Sequence, residues 1–133
     1  MTQEEKELLL KDLCARLPYG VKVLYEGQVK EIQYIEPIYN ELKLLDDFSN
    51  YTIGIEDIKP YLRPMSSMTE EEVKEFYDVE CMDVKVAYIK PTWNWHFTIN
   101  GIDWLNKNHF DYRGLIEKGL AIAVTEDNNP YKE

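Results

Sequence analysis

Histidine, cysteine and serine are scarce in this chain of 133 residues, and each scarcity removes a class of chemistry. The two histidines, His96 and His109, have no carboxylate or cysteine at ligand spacing, which leaves no His-rich zinc site and no expected metal. The two cysteines, Cys14 and Cys81, stand in neither metal-like nor redox-like spacing. Both are expected as free thiols in a reducing, cytoplasmic setting, with Cys14 on the apolar stripe of a helix. Ser49, Ser66 and Ser67 are the only serines, and none lies in a G-x-S-x-G elbow. Neither G-x-x-x-x-G-K-[ST] nor G-x-G-x-x-G occurs, so those backbone cradles for nucleotide phosphates are missing and no cofactor is implied. Apolar runs stay well short of the roughly 20 residues that span a bilayer, and no membrane partner is expected. The opening "MTQEEKELLL" lacks the basic n-region of a signal peptide.

Positive charge is also in short supply. Fifteen bases face 25 acids, for a net charge of −10. The deficit is spread along the chain, with 12 acids to 8 bases over 1–68 and 13 to 7 over 69–133. A field of that sign repels nucleic-acid phosphate, which argues against duplex binding. It still permits a local pocket for a small anion. The run from Glu70 to Asp83, seven acids and one lysine, reads as a solvated helix face and the turn after it.

What is present is patterning. Thr2 and Glu5 make a capping box, and Leu9, Leu13 and Leu17, with Leu10 and Cys14 beside them, give a helical stripe that stops at Pro18. Residues 21–62 read as β: "VKVLY" and "VKEIQYI" flank a turn at Gly27, Pro37 and Asn40 break the second strand from the third, and "ELKLLDD" and "NYTIGIEDI" follow. Tyr51, Ile53 and Ile55 alternate on one face. Short strands in that number suggest a meander curling into an SH3-like barrel. A second capping box, Thr69 with Glu72, opens a helix with Met68 and Val73 at staple positions and Val73, Phe76 and Tyr77 as its buried face. "DVKVAYI" and "TWNWHFTI" read as strands, the latter placing Trp93, Trp95, Phe97 and Ile99 on one face and Asn94, His96 and Thr98 on the other. Asn100 is expected to cap a helix through His109, with Ile99 and Trp104 as its staple. Asp111 then caps a short helix from Tyr112. Gly119 takes the left-handed C′ position, Leu115 and Leu120 close a Schellman ending, and Leu120, Ile122 and Val124 form a last strand. The fold expected is α+β: an N-terminal helix plus SH3-like barrel over 1–68, and a helix–strand–strand–helix–helix–strand portion over 69–133 packed on it, with one single domain as the alternative.

The stretches "IEDIKPYLRPMSSMTEEE" (55–72), "WLNKNHFDYRGLIEKGLAI" (104–122) and "KELLLKDLCARLPYGVKV" (6–23) resemble a family of short uncharacterised proteins encoded by gut anaerobic bacteria, their phages and their mobile elements. The resemblance covers a little under half of the chain. It implies a genomic setting, with no activity and no functional residues to carry over.

Five residues stand out as candidates for binding. Arg63 lies between Pro60 and Pro64 beside Tyr61, a rigid setting that presents a side chain at low entropic cost. His109 and Arg113, with the free N–H groups of the short helix after Asp111, could form an anion site. Structural roles compete: His109 as a protonated helix-end residue, and Arg113 paired with Asp111 or Glu117. His96 joins them on the polar face of its strand. The leading expectation is a non-catalytic protein that binds a host protein. A binder of a small anion or signalling nucleotide comes second and an unrecognised enzyme third. An aromatic pocket with an arginine would favour the second, and a flat apolar patch the first.

Overall fold

The computed structural model describes residues 1–49, 51–81 and 97–132. Helix α1 spans Gln3–Arg16. Its capping box is closed in both directions: Thr2 Oγ1 accepts from the Glu5 N–H at 3.1 Å, and the Glu5 carboxylate accepts from the Thr2 N–H at 2.9 Å. Leu9 and Leu13 are fully buried as the stripe requires, but Asp12 and Arg16 share that inner face and Cys14 is exposed. The buried line is thus rotated from the expected one, because Asp12 and Arg16 satisfy each other in the interior. A 3₁₀ turn, Leu17–Tyr19, carries Pro18 in its first turn and ends on Gly20 at φ 72°.

The meander follows in the expected order. Strands β1 (Lys22–Tyr25) and β2 (Gln28–Glu36) form a hairpin whose two-residue turn, Glu26–Gly27, has φ of 48° and 77°. Two positive φ values match the twist of the flanking strands, as in a type I′ turn. Pro37–Tyr39 makes a 3₁₀ turn closed by Asn40 at φ 53°, and β3 (Glu41–Leu44) returns against β2. The segment read as the next strand pairs only over β4 (Ile53–Gly54), then turns through Ile55–Asp57 into β5 (Lys59–Leu62), which lies antiparallel to β1. Of the alternating set Ile55 is buried, whereas Tyr51 is exposed. β6 (Ile122–Ala123) adds to β5 in parallel, giving the order β4-β3-β2-β1-β5-β6. The portion after residue 69 therefore returns a strand to the sheet of the first.

α1 packs on this sheet. Leu9 and Leu13 join Val21, Val23, Ile32, Leu42, Leu44, Ile55, Ile58 and Leu62, with Leu115 and Leu120 from the far end of the chain. Truncating a fully buried leucine here, such as Leu13→Ala, costs about 2–5 kcal/mol.

A second cluster gathers around α2 (Glu70–Cys81) and α3 (Ile99–Lys107). The Thr69–Glu72 capping box forms, at 3.1 and 3.0 Å. The expected inner face of α2 needs correction: Val73 and Tyr77 are exposed, while Phe76 and Val79 pack against Trp104, Leu105 and Phe110. α3 starts earlier than expected. Thr98, and not Asn100, is its N-cap, accepting from the Gly101 N–H at 2.8 Å. Ile99 is then a first-turn residue and is exposed. Gly101 leaves room for the Glu80 carboxylate: a Cβ there would stand 1.6 Å from Glu80 Oε1, the oxygen that accepts from the Thr98 N–H, so a side chain at 101 would make that carboxylate shift. Trp104 Nε1–H donates to Glu75 at 3.0 Å.

The short helix expected after Asp111 is not a helix; 112–119 is a run of turns. Its two ends are as expected. The Asp111 carboxylate accepts from the Leu115 and Ile116 N–H groups at 2.9 and 3.0 Å. Gly119, at φ 74°, donates to Ile116 C=O, and Leu120 donates to Leu115 C=O, the paired bonds of a Schellman ending. The first strand expected between α2 and α3, and the second as far as His96 with Trp93 and Trp95, lie outside the described residues; the end expected of the second strand is instead the Thr98 cap and the first residue of α3.

Candidate functional site

Residues 109–113 run beside the end of β5. The Arg63 N–H donates to His109 C=O at 2.7 Å and Arg63 C=O accepts from the Asp111 N–H at 2.9 Å, bracketing Phe110, which is fully buried. Two residues beyond α3 the chain must turn sharply, and His109 takes φ 63°, unusual for a residue with a side chain. That turn lays the imidazole flat on Tyr131, ring centroids 3.6 Å apart and planes 9° from parallel. Tyr131 is held in turn: its hydroxyl accepts from the Lys22 N–H at 3.0 Å and donates to Tyr61 C=O at 2.7 Å.

His109 is therefore not the protonated helix-end residue that the sequence suggested. Burial pushes its pKa from 6.5 down to about 4, and the positive charges of Arg16, Arg63 and Lys22 push the same way. The ring is neutral at pH 7 and is a poor proton acceptor there. Its Nδ1 is buried without a hydrogen-bond partner. Burial likewise raises the Tyr131 phenol above its ordinary value.

A cleft of about 730 Å³ opens beside this stack. Arg63 and Ser67 line one side, Lys107, Asn108 and His109 the end of α3, and Val124, Thr125, Glu126, Asn129, Tyr131 and Lys132 the remainder. Three cations and one carboxylate line it, which inverts the balance of a chain with net charge −10. Arg63 is held on two sides. Its guanidinium lies over the Phe110 ring at 4.1 Å and forks onto Glu72 at 2.7 and 2.6 Å. Glu72 consequently titrates below the usual carboxylate range, chiefly through Arg63.

The structure thus brings together Arg63 and His109 among the candidates. Tyr61 is 4% exposed and contributes its backbone carbonyl to Tyr131, with no place in the cleft wall. Arg113 is engaged elsewhere. It pairs with Asp12 at 2.9 Å, across 101 positions of sequence, and lies over Tyr112 at 4.7 Å. Neither Asp111 nor Glu117 is its partner. His96 lies outside the described residues. Sequence reading missed Lys107, Lys132 and Tyr131; an aromatic in the polar tail "TEDNNPYKE" was the one visible signal.

Among the described residues no group of three or more His, Cys, Asp or Glu side chains is placed to hold a metal ion. No described helix is long and apolar enough to cross a membrane. Comparison with protein-family models, with curated proteins and with solved structures gives no match.

Proposed function

We propose that this is a non-catalytic binding protein whose cleft takes a small anionic ligand. One observation carries the reading: Arg63, Lys107 and Lys132 line a cleft of about 730 Å³ in a chain that is otherwise strongly acidic. The acidic surface repels long polyanions, while a concave local excess of cations attracts small ones at short range. Neutral His109 and the half-buried Tyr131 present a stacked pair of rings in the cleft wall and offer no proton-transfer group tuned to pH 7. A reducing cytoplasmic setting fits the exposed free thiol of Cys14, and origin in a phage or mobile element rests on the resemblance described above. The test is an NMR titration with inorganic phosphate at constant ionic strength. Amide shifts should concentrate at Arg63, Lys107, His109 and Lys132. Shifts scattered over the surface, or none, would remove the reading.

A second reading, binding to a host protein, is favoured by a separate observation. Ile38 and Tyr39 between β2 and β3, and Phe48 and Tyr51 between β3 and β4, are largely exposed, with Phe48 at 94%. Large exposed apolar groups of this kind commonly serve interfaces. Capture from host lysate by the wild-type chain but not by a Phe48→Ser, Tyr51→Ser variant would support it. Capture unaffected by those changes would not.

A further inference from the structure

The chain has three arginines, Arg16, Arg63 and Arg113, and two of them are fixed on one carboxylate, Asp12. Only Arg63 lines the cleft. Both of its terminal nitrogens are committed to the two oxygens of Glu72, and Phe110 holds the plane of the guanidinium. The fork is therefore already shaped for a planar, two-oxygen anion, and an internal one occupies it. Resting on the anion-binding reading above, we infer that Glu72 is an intramolecular competitor, displaced from the Arg63 fork when an oxyanion (a carboxylate or phosphate group) enters the cleft.

Both partners can survive the exchange. Arg63 trades one bidentate oxyanion for another and keeps its stack on Phe110. Glu72 retains its second attachment, the Thr69 N–H at 3.0 Å, in the first turn of α2. A carboxylate at a helix N-terminus is favourable without an arginine, because it faces the positive end of the helix dipole. The pair is also reachable: the two side chains are 24% and 19% exposed, unlike the sealed Arg16–Asp12 pair at 0% each. Exchange couples the cleft to the start of α2. It also sets specificity, since a fork discriminates two-oxygen anions from a halide by geometry.

Glu72→Gln tests this without unfolding the helix, because glutamine serves at the same capping-box position. Phosphate, acetate and chloride are titrated at constant ionic strength into wild type, Glu72→Gln, Glu71→Gln and Arg63→Lys, by calorimetry and by the Thr69 and Arg63 amide signals. Glu72→Gln should bind phosphate or acetate about fivefold tighter than wild type, the equivalent of about 1 kcal/mol for losing a part-exposed ion pair. Glu71→Gln makes the same change in net charge on the exposed side of that turn and should give no such gain. Arg63→Lys should bind more weakly and lose the preference for oxyanions over chloride. Which oxyanion binds tighter identifies the ligand group, and either result fits the exchange. Wild-type binding left unchanged or weakened by Glu72→Gln, or an equal gain in Glu71→Gln, would overturn the inference while leaving the cleft a binding site. Absence of binding in both wild type and Glu72→Gln would remove the anion-binding reading itself.

Discussion

His109 makes the chain sensitive to mild acid, and the size of the effect follows from the folded state. The imidazole titrates near 6.5 when the chain is unfolded and at about 4 when it is folded. Above 6.5 it is neutral in both states and costs nothing. As pH falls from there the unfolded chain takes up a proton that the folded one refuses, so stability drops until the folded ring also titrates. Between pH 7.5 and 5.0 linkage sets a ceiling of about 2 kcal/mol, and the part of the ring that faces the cleft is screened by water, which reduces this to about 1 kcal/mol. The carboxylates of Glu72 and Asp47, held low by Arg63 and by the Ser49 backbone respectively, lose their contribution only as pH falls below the ordinary carboxylate range. The window above pH 5 therefore belongs to histidine. His109→Asn keeps a residue that tolerates positive φ and removes the titration. Urea unfolding at pH 7.5 and 5.0 should show the wild type losing about 1 kcal/mol more than the variant across that interval. Groups common to both proteins cancel in the difference. Equal losses would mean that His109 is solvated and that the desolvation argument is wrong.

Other outcomes follow from the same region and from the charge. Gly119→Val should destabilise by about 1 kcal/mol or more, measured in urea. A Cβ at Gly119 would meet nothing within 4 Å, so the whole cost comes from its φ of 74°. Asp111→Ala removes two charge-assisted bonds at a site 8% exposed, and should cost about 2 kcal/mol. Duplex DNA should show no sub-micromolar binding at physiological salt, because the cations of the cleft are few and set in an acidic surface; a titration with a steep salt slope would contradict this.

The parts of the fold legible in the sequence are those set by local chemistry. Thr2 with Glu5, Thr69 with Glu72, Gly27, Asn40 and Gly119 each act within six residues, and each does in the structure what its spacing implies. The meander order followed from the strands that these turns connect. What stayed hidden depends on distant partners. An Asp12–Arg16 pair at i, i+4 looks like a surface salt bridge, and only its register with Leu9 and Leu13 hints that it faces inward. Nothing near Arg113 points to Asp12, and nothing near His109 points to Tyr131. Asn100 looked like the cap of α3, whereas Thr98 takes that place and is held by Glu80 on a different helix. For the site, Arg63 was legible from its proline frame, but the lysines that give the cleft its sign were not.

The buried ion pairs anchor the segment beneath the cleft, while Arg63 sits in a part-exposed pair. Asp12 accepts from Arg16 Nε at 2.8 Å and from Arg113 at 2.9 Å, and a further Arg16 nitrogen donates to Phe110 C=O at 2.5 Å. Two cations on one buried carboxylate leave a positive excess under residues 109–113. Arg16 Nη1 is left without a hydrogen-bond partner, with Tyr112 as its aromatic neighbour at 5.3 Å. Such an arrangement adds little net stability, because desolvation offsets most of the attraction. Its consequence is positional: removing any one member strands the others, so the segment carrying His109 and Phe110 has one place to sit. Phe110 in turn fixes the guanidinium of Arg63 from below. Burial keeps His109 neutral, with the positive charges of Arg16, Arg63 and Lys22 pushing the same way, and those charges favour an anion in the cleft above it. Arg63, part-exposed and paired with a carboxylate that has a second resting place, is the element of this cluster that can change partner without disturbing the rest.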